Sequence, residues 1–372
     1  MDLNEKYSFN VTWYDDVADL ERPYVLSYFL SNNDIEMLDV KNRRPFLKRS
    51  PYPSLQLADL FVGNCVTVHS RQLKIVSYTN DFTARHFEAQ SEKTLALIKP
   101  GMYDHIGQVM TEIARAGLKI IRLQMLVLSR EDAMEFYAEH QGKPFFDNLV
   151  EMMISEPIVA MELMGPSAIS AWRRLMGPTE KDRARMEAPN SIRAKFARNN
   201  TYNAVHGSDS PASAEREIAF FFGRPGYFPT TATFEKSSLV LIPRHSLPNL
   251  GEIISKILEE GFNVTAMEMF IVDKSDAADF YEIYRGVHQD YQGLVDELSS
   301  GPVVALEVTG ENAQAELREL AGPSDPAIAR TVAPDSLRGK YGKSVAKNAV
   351  HVTDLPTEAA AEVKFWFKLL RQ

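Results

Sequence analysis

The sequence predicts two tandem modules of the α/β sandwich class, with helices packed on a β-sheet, behind an N-terminal domain that is mostly β. Three observations carry this prediction. Most of the chain repeats itself at an offset of 145 residues, so that EPIVAMELMG (156–165) matches GPVVALEVTG (301–310). Within each repeat, short apolar runs alternate with segments that have apolar residues at helical spacing. Residues 1–91 lack this alternation and are rich in aromatic and β-forming residues.

The N-terminal domain, residues 1–91, is predicted from runs such as YSFNVTWYDD, RPYVLSYFL and DLFVGNCVTVHS, which are interrupted by turn signals such as SNND. The two modules, residues 92–222 and 237–372, are separated by a linker, residues 223–236, that is rich in Gly, Pro and Thr. The pattern does not specify the order of the strands in either module.

The first module predicts its elements in a regular order. TLALIK is a short buried strand, HIGQVMTEIARAG a helix that ends on Gly117, and LKIIRLQMLVL a long strand. The next helix, SREDAMEFYAEH, begins after Ser129, a capping residue that is followed by an acidic residue in the first turn. After a strand at PIVAMELMG and a helix at SAISAWRRLMG, the module ends in a helix capped by Ser210, with Pro211 in its first turn.

Composition argues against several classes of function. With a formal net charge of −9, the chain is not expected to bind nucleic acid as its main role. Its single cysteine, Cys65, cannot form an intramolecular disulfide, which favours a reducing compartment. The N-terminus has no secretory signal pattern, and there is no run of about 18 apolar residues that could span a bilayer. We therefore expect a soluble intracellular protein without a membrane partner.

One motif occurs in both modules, as NAVHGSDSPASAERE (203–217) in the first and NAVHVTDLPTEAAAE (348–362) in the second. A lone histidine is most often a packed core residue, and His206 has no histidine or cysteine near it at the spacing of metal ligands. However, Glu217 lies on a helix about two turns from its start, where the carboxylate could hold one ring nitrogen. The other nitrogen would then be free as a nucleophile that accepts a phosphoryl group.

Phosphate binding needs positive groups, and the chain has no P-loop to supply them. The segment GKYGKS (339–344) has Leu337 where a Walker motif requires glycine. Side chains must therefore hold any bound phosphate. Taken alone, each candidate would ordinarily be a solvated surface residue. The candidates in the first module are Lys99, Arg173, Thr179 and Arg193.

The strings LIKPG, FYAEHQGKPFF, RRLMGPT, SIRAKF and NAVHGSDS occur in this order, with a glutamate after the last. Together they closely resemble the nucleoside diphosphate kinase family, over residues 92–222 in full and over 237–372 in weaker form. The resemblance implies the ferredoxin-like α+β sandwich of that family for both modules. It also implies that His206 accepts the phosphoryl group, that Glu217 orients it and that Ser208 assists. The residues implied in nucleotide binding are Lys99, Tyr137, Phe145, Arg173, Thr179, Arg193 and Asn203.

The reaction that this resemblance implies is ping-pong. A nucleoside triphosphate phosphorylates the histidine, and a nucleoside diphosphate then takes the phosphoryl group, with Mg²⁺ bound together with the nucleotide. Phe145 would stack the base, and base choice is loose because stacking accepts any base. Since the chemistry depends on positioning and charge neutralisation, each cation matters.

The second module keeps most of the counterparts of these residues. They are His351, Arg318, Arg338, Asn348, Tyr281, Thr353 and Glu362, with Ser324 in place of the threonine. It loses others, because Pro243 stands at the lysine position, Asp290 at that of the stacking aromatic, and Val352 at that of the glycine after the histidine. Arg244, next to Pro243, would point to the opposite face of a strand. We therefore predict that the second module is weak or inactive in catalysis, and nucleotide binding there stays open.

The N-terminal segments YFLSNNDIEMLDVKNRRPFLKR and DLFVGNCVTVHSRQLKIVSYTNDF resemble the ciliary pleckstrin-homology-like (PH-like) module of axonemal EF-hand proteins. One such module before two kinase modules is the arrangement of the cilium- and centrosome-associated branch of the kinase family. That likeness implies a cytoplasmic, cytoskeletal location at the axoneme, centrosome or basal body, with tubulin, the microtubule or the γ-tubulin ring complex as a partner. The basic run RRPFLKR could contact the acidic surface of tubulin, or it could be only a solvated hairpin.

Two classes of function therefore stand side by side. In the first, the chain is an enzyme, a nucleoside-diphosphate kinase whose His206 carries phosphate. In the second, it is a structural protein of the microtubule, such as a lumenal axonemal protein, in which both modules persist as folded surfaces. Nucleic-acid binding or nuclease action is a third class that the acidic balance disfavours. The two modules could also pair within the chain as a pseudo-dimer, which would favour a monomer.

Overall fold

The computed structural model of the chain describes residues 5–15 and 18–371. These residues form two compact units. The first unit contains the N-terminal domain together with Ile271–Gly301 of the second module, and the second unit contains Glu92–Phe270 and Pro302–Gln372. The segment Ile271–Gly301 therefore groups with the N-terminal domain and not with the repeat to which its sequence belongs.

The strands are numbered in chain order through the N-terminal domain and both modules. They are β1 (Lys6–Asp15), β2 (Leu20–Phe29), β3 (Asp34–Asp39), β4 (Arg44–Pro51), β5 (Cys65–Val68), β6 (Arg71–Tyr78), β7 (Glu92–Ile98), β8 (Lys119–Leu126), β9 (Ile158–Gly165), β10 (Val205–Gly207), β11 (Ser237–Ile242), β12 (Asn263–Phe270), β13 (Val303–Thr309) and β14 (His351–Val352).

The α-helices are numbered in the same way. They are α1 (Asp81–Glu88), α2 (Ile106–Arg115), α3 (Arg130–Phe136), α4 (Phe146–Met153), α5 (Ala168–Met176), α6 (Lys181–Glu187), α7 (Ile192–Phe196), α8 (Pro211–Phe222), α9 (Leu250–Glu259), α10 (Lys274–Phe280), α11 (Tyr291–Leu298), α12 (Ala313–Ala321), α13 (Pro326–Val332), α14 (Leu337–Tyr341) and α15 (Ala359–Lys364).

The first unit is built on an antiparallel sheet of six strands in the order β4-β3-β2-β1-β6-β5. The strands bury Phe9, Leu26, Ile35 and Leu73 in a common core, as the alternation of apolar residues requires. Helix α1 packs on this core through Phe87, whose ring lies 5.2 Å from that of Phe9. The prediction of a mostly β domain is confirmed. It missed α1, because DFTARHFE carries few apolar residues.

The segment Ile271–Gly301 contributes α10 and α11 to the first unit. Thr67 on β5 donates a hydrogen bond to the Ser299 carbonyl at 2.6 Å. Gln72 on β6 donates to the Val272 carbonyl at 2.9 Å. Both donors lie on the β5–β6 hairpin, so this hairpin ties the segment to the N-terminal domain.

The second unit contains one antiparallel sheet of eight strands in the order β10-β7-β9-β8-β12-β13-β11-β14. The first four strands belong to the first module and the last four to the second. When the strands are numbered within each module and read from the outer edge of the sheet inwards, each half has the order 4-1-3-2 of a ferredoxin-like fold. The predicted fold class is therefore confirmed. The halves meet where β8 pairs with β12 at Gln124 and Glu268. The two modules thus form one continuous sheet within the chain.

Helices α2 and α9 cross at the junction of the two modules, and glycine permits their close approach. A Cβ atom added to Gly107 would lie 2.4 Å from the carbonyl oxygen of Gly251, and the reverse distance is also 2.4 Å. Tyr103 adds a hydrogen bond across the junction, to the carbonyl of Val264 at 3.2 Å. The apolar residues beneath both helices belong to a single core that spans the modules. This arrangement is an internal pseudo-dimer.

The linker is held against the second module by Glu307, a buried carboxylate on β13. It accepts hydrogen bonds from the backbone N–H groups of Thr233 and Phe234, each at 2.6 Å. The equivalent carboxylate in the first module, Glu162, pairs instead with two cationic side chains. The second copy of this acidic residue therefore orders the connection between the modules.

The strands and helices predicted for the first module are found in the predicted order. Gly117 follows α2 with a φ of +75°. Ser129 caps α3 by accepting from the Asp132 N–H at 3.0 Å, and Ser210 caps α8 in the same way. The short helices α4, α6 and α7 were not predicted. In the part of the chain that the structure describes, no helix is long and apolar enough to cross a membrane.

Candidate active site

His206 lies on β10, a short strand that pairs with β7 and places His206 opposite Leu97. Two positions earlier, Ala204 has a φ of +71°, a left-handed conformation that costs a non-glycine residue roughly 1–2 kcal/mol. Its carbonyl accepts a hydrogen bond from the Lys99 N–H at 2.9 Å. The second module repeats this conformation at Ala349, where φ is +78°. The histidines of both modules therefore follow the same strained turn.

Glu217 holds the imidazole of His206 from one side. Its Oε2 lies 3.0 Å from Nε2 of His206 and also accepts a 2.8 Å hydrogen bond from the Ser208 hydroxyl. Ser208 is itself fixed, because its Oγ accepts from the Leu95 N–H at 3.2 Å. The other ring nitrogen, Nδ1, has no hydrogen-bond partner among the described residues, and the side chain is 19% exposed. With Nε2 donating to the carboxylate, Nδ1 carries the lone pair.

The surroundings favour the neutral form of the His206 ring. Burial lowers the pKa of His206, and the charges of Lys99 and Arg193 lower it further. The hydrogen bond and the charge of Glu217 oppose this shift. A neutral imidazole is the form in which histidine acts as a nucleophile. The rings of Phe136 and Tyr137 stand edge-on to it, at 5.2 Å and 5.9 Å between centroids. These contacts fix the plane of the imidazole.

Trp172, on α5, is a residue of the site that sequence reasoning missed. Its indole Nε1 donates to the carbonyl of His206 at 3.0 Å, and the side chain is fully buried. A Cβ atom added to Gly207 would lie 2.3 Å from the Trp172 ring, so the tryptophan requires glycine there. The equivalent pair in the second module is Leu317 and Val352, both buried. Val352 thus compensates in size for the smaller Leu317. Reading the two copies for paired changes would have found this contact.

We expect Gly207→Val to destabilise the protein by about 3 kcal/mol or more, because the fully buried Trp172 ring cannot give way. Adding Trp172→Leu recreates the pair of the second module and is expected to recover more than about 1 kcal/mol of that loss. Urea unfolding of the two single variants and the double variant measures this coupling. Strictly additive effects would contradict the size compensation.

Lys99 is buried beside this histidine. Its Nζ donates to Oδ1 of Asn203 at 2.9 Å and lies 5.9 Å from the centre of the Tyr137 ring. Burial, and then the charge of Arg193, lowers the pKa of Lys99 to about 7. Burial also raises the pKa of Tyr137, so the phenol stays neutral. Lys99 forms no ion pair with the residues that the structure describes, and an anionic ligand would supply a negative charge beside it.

Arg193 connects the predicted phosphate ligands to the strained turn. Its guanidinium donates to the carbonyls of Gly177 at 2.9 Å and Val205 at 3.0 Å, and to the hydroxyl of Thr179 at 3.4 Å. Burial, followed by the charge of Arg173, lowers the pKa of Arg193 to about 10, so it remains a cation at pH 7. Arg173, in the last turn of α5, is exposed and forms no ion pair within the described part of the chain.

Phe145 lies at the outer end of this arrangement and is 47% exposed. It connects to the site through His140, whose ring is 5.6 Å from that of Phe145 and 6.0 Å from that of Tyr137. The neighbouring Phe146 is buried, so Phe145 is the phenylalanine of this pair that could stack on a ligand ring. Eight of the ten first-module residues predicted for the site are linked by direct contacts, and Phe145 joins them through His140. The tenth, Arg173, lies close enough for its charge to lower the pKa of Arg193. The roles of all these residues stay predictions.

The donor set suits phosphate and not a bare metal ion. Over residues 5–15 and 18–371, no group of three or more His, Cys, Asp and Glu side chains could hold a metal ion. Lys99 and Arg193 lie close enough to His206 for their charges to lower its pKa, and Glu217 already accepts from His206 and Ser208. A Mg²⁺ ion that reaches such a site would be held through the phosphates of a ligand.

The family to which this arrangement belongs follows from comparison with known proteins. The sequence model described as "Nucleoside diphosphate kinase" matches residues 92–225 and 236–371, more than half of the chain. The chain belongs to the nucleoside diphosphate kinase family. A second model, "Nucleoside diphosphate kinase 7 N-terminal PH domain", matches residues 1–89, so the N-terminal sheet is a PH-like domain.

Whole-chain relatives exist within the family. The chain is 42% identical over 371 residues to the Nucleoside diphosphate kinase homolog 7 of Rattus norvegicus. The match covers 99% of this chain and 94% of that protein. The same identity and coverage hold for the protein of that name from Mus musculus. Among solved structures, a halophilic nucleoside diphosphate kinase from Halobacterium salinarum in complex with CDP is 38% identical, with a TM-score of 0.34, over 36% of this chain and 89% of that one.

The second kinase module keeps the geometry of its histidine and carboxylate. Nε2 of His351 lies 3.3 Å from Oε2 of Glu362, and the hydroxyl of Thr353 donates to the same oxygen at 2.7 Å. Arg338 donates to backbone carbonyls, as its first-module counterpart does. The frame of a kinase site is therefore present in both copies.

The charges around His351 differ from those around His206. Pro243 stands at the lysine position, so the buried ammonium group is absent. Arg318, the counterpart of Arg173, pairs with Asp354 at 3.1 Å. Both changes reduce the positive charge that is available to a phosphate ligand.

Glu358 is a further difference that sequence reasoning missed. Burial, and then the charges of Glu362 and Asp354, raise its pKa, while His351 lowers it. One of its carboxylate oxygens is buried and has no hydrogen-bond partner among the residues that the structure describes. The equivalent residue of the first kinase module is a serine, Ser213. This additional carboxylate disfavours a bound phosphate next to the second histidine.

Proposed function

We propose that the first kinase module transfers a phosphoryl group from a nucleoside triphosphate to a nucleoside diphosphate through a phosphohistidine at His206. The observation that carries this proposal is the ring of His206 itself, with Nε2 held by Glu217 and Nδ1 without a partner in the described chain. The cations Lys99 and Arg193 lie close enough to lower the pKa of this histidine. A nucleophile beside fixed positive charge is the arrangement that phosphoryl transfer requires.

In the first half-reaction, Nδ1 of His206 attacks the γ-phosphorus of the triphosphate. A P–N bond forms as the bond from phosphorus to the bridging oxygen breaks, and the electron pair leaves with the nucleoside diphosphate. In the second half-reaction, the terminal oxygen of another diphosphate attacks the same phosphorus, and the electron pair of the P–N bond returns to Nδ1. Nε2–H donates to Glu217 throughout, which stabilises the positive charge that develops on the ring.

The remaining predicted residues would bind and orient the nucleotide. Lys99 and Arg193 offer buried positive charge, and Arg173 offers an exposed guanidinium that can hold phosphate oxygens. Mg²⁺ bound to the nucleotide would neutralise part of the phosphate charge. Phe145 would stack the base from the exposed side, which permits loose base choice.

The experiment is to incubate the full chain with ATP labelled at the γ-phosphate and to map the acid-labile phosphoryl group. We expect the label on the peptide that contains His206, and much less on the peptide that contains His351, because phosphate binding near the second histidine is disfavoured. Addition of an unlabelled diphosphate should remove the label. A chain that takes up no acid-labile label, or takes it up mainly at His351, would contradict the proposal.

We also propose a docking role for the edge strand β4 of the N-terminal domain, with the acidic surface of tubulin as its partner at the cilium or centrosome. Arg44, Phe46 and Lys48 are exposed on this strand, which forms one edge of its sheet. An exposed basic edge suits an acidic partner. Co-sedimentation with microtubules should be weakened by Arg44→Glu with Lys48→Glu, and not by Lys74→Glu on the inner strand β6. Equal sedimentation of all variants would rule this surface out.

A further inference from the structure

The linker that follows α8 folds back onto the residues that surround His206. Phe228 is buried, and its ring stacks on that of Phe221 at 5.7 Å between centroids. Phe221 lies 5.1 Å from Phe136, and Phe136 lies 5.2 Å from the ring of His206. Contacts between aromatic rings therefore lead from the linker to His206 without interruption.

Tyr227 ties the same stretch of the linker to α3. Its hydroxyl donates to Oδ1 of Asp132 at 2.8 Å, and the other carboxylate oxygen of Asp132 closes the cap at the start of α3. Helix α3 carries Phe136, and α8 carries Glu217. The linker thus contacts both helices that set the orientation of the His206 ring.

Arg371, near the end of the second module, holds this part of the linker. Its guanidinium donates to the Phe228 carbonyl at 2.7 Å and pairs with Glu268 of β12 at 3.1 Å, with 11% of the side chain exposed. Burial raises the pKa of Glu268 to about 7, and the charge of Arg371 opposes that shift. A buried guanidinium with two such partners has little freedom to move. The second module therefore fixes the position of the Phe228 backbone.

We propose that Arg371 is a positioning residue for phosphoryl transfer at His206, acting through the aromatic contacts that begin at Phe228. The inference rests on the proposed function, because it assigns a role in that same reaction. It gives the second module a task that does not depend on chemistry at His351. The side-chain partners that the structure gives Arg371 are the Phe228 carbonyl and Glu268, neither of which is predicted to bind nucleotide, so its effect passes through packing.

The expected size of the effect follows from how steeply transfer depends on geometry. A displacement of about 1 Å in a reacting group can cost roughly a hundredfold in rate. Loss of one hydrogen bond at the linker would allow a smaller displacement of the imidazole. We therefore expect about a tenfold loss.

The test is single-turnover phosphorylation of the full chain by labelled ATP, with Arg371→Ala compared with the wild type. The rate constant is expected to fall about tenfold, while the final labelled fraction and the ATP concentration at half-maximal rate change less than about twofold. A residue with only a structural role would lower the labelled fraction instead. Arg330→Ala is the matched control, because Arg330, like Arg371, donates to a backbone carbonyl, but to that of Gly342 within the second module. It should leave the rate constant unchanged.

A second variant guards against unfolding. Arg371→Ala leaves the carboxylate of Glu268 buried without its cation, which can itself destabilise the chain. Arg371→Ala combined with Glu268→Gln removes that charge and should show the same slow rate with full labelling. A wild-type rate in the double variant would overturn the inference while leaving the proposed function intact. A wild-type chain that takes no label would overturn the proposed function, and this inference with it.

Discussion

Replacement of His206 by asparagine is expected to lower phosphoryl transfer from ATP to a nucleoside diphosphate by roughly 10⁴-fold or more. The amide can still donate a hydrogen bond to Glu217, but it has no basic nitrogen with which to attack phosphorus. Because the covalent intermediate is lost, binding and charge neutralisation alone would remain. Initial rates of transfer of labelled phosphate to GDP measure the effect.

The repeat supplies the control for this variant. His351→Asn makes the same change beside Glu362, in a site that lacks the buried ammonium group. It is expected to change the rate by less than about twofold, since the second site would carry little of the transfer. A large loss from His351→Asn together with a small loss from His206→Asn would place the activity in the second module and contradict the proposal of transfer at His206.

The parts of the site that were predictable from the sequence are those that depend on local order. The alternation of apolar runs predicted the module fold, and the distance along the chain from His206 to Glu217 predicted a carboxylate within reach of the ring. The capping roles of Ser129 and Ser210 were also readable, because a cap acts on the helix that directly follows it. Each of these inferences concerns residues close in sequence or a repeated pattern.

Residues that act across long sequence separations were not predictable in this way. Trp172 and Arg371 contact the strand and the linker through packing that only the folded sheet brings about. The same holds for Ile271–Gly301, which the pattern places in the second module and hydrogen bonds from the β5–β6 hairpin place with the N-terminal domain. Paired changes between the two copies offer a signal for Trp172. No such signal exists for Arg371, because its equivalent at the offset of 145 residues is Gly226, which lies in the linker and not in the first module.

The candidate sites of the two kinase modules differ more in the charges around the histidine than in the geometry of the histidine and its carboxylate. Both keep the strained turn, the histidine–glutamate pair and the buried arginine. The second site replaces Lys99 with Pro243, pairs Arg318 with Asp354, and adds the carboxylate of Glu358. The two copies therefore share the backbone turn and the histidine–carboxylate pair and differ in the charged groups that phosphate binding would require. Lys99 is therefore expected to have two opposite effects. Its burial lowers the stability of the folded chain, and its charge promotes the proposed transfer.

Lys99→Met is accordingly expected to lower phosphoryl transfer by about 10²-fold to 10³-fold, the loss typical of one buried group that stabilises charge in the transition state. Methionine keeps the unbranched apolar stem and removes only the ammonium group. Steady-state transfer to GDP measures the loss. The control is Lys343→Met in the segment GKYGKS, which should leave the rate unchanged because that segment is not a P-loop. A loss with Lys343→Met as large as with Lys99→Met would contradict this assignment.

The same substitution is expected to stabilise the protein without ligand, with a definite dependence on pH. The pKa of Lys99 is about 7 in the folded chain and 10.5 in its ordinary state, so the unfolded chain binds more protons between these values. The wild type therefore loses stability as pH falls from 10.5 to 7, and the penalty is constant below about 7. Urea unfolding should show Lys99→Met to be more stable by on the order of 3 kcal/mol at and below pH 7, with the gain vanishing towards pH 10.5. Loss of the hydrogen bond from Lys99 to Asn203 offsets part of this gain in stability. A variant no more stable than the wild type at low pH would mean that water solvates the ammonium group. Lys99 would then not be a desolvated cation that favours a bound phosphate.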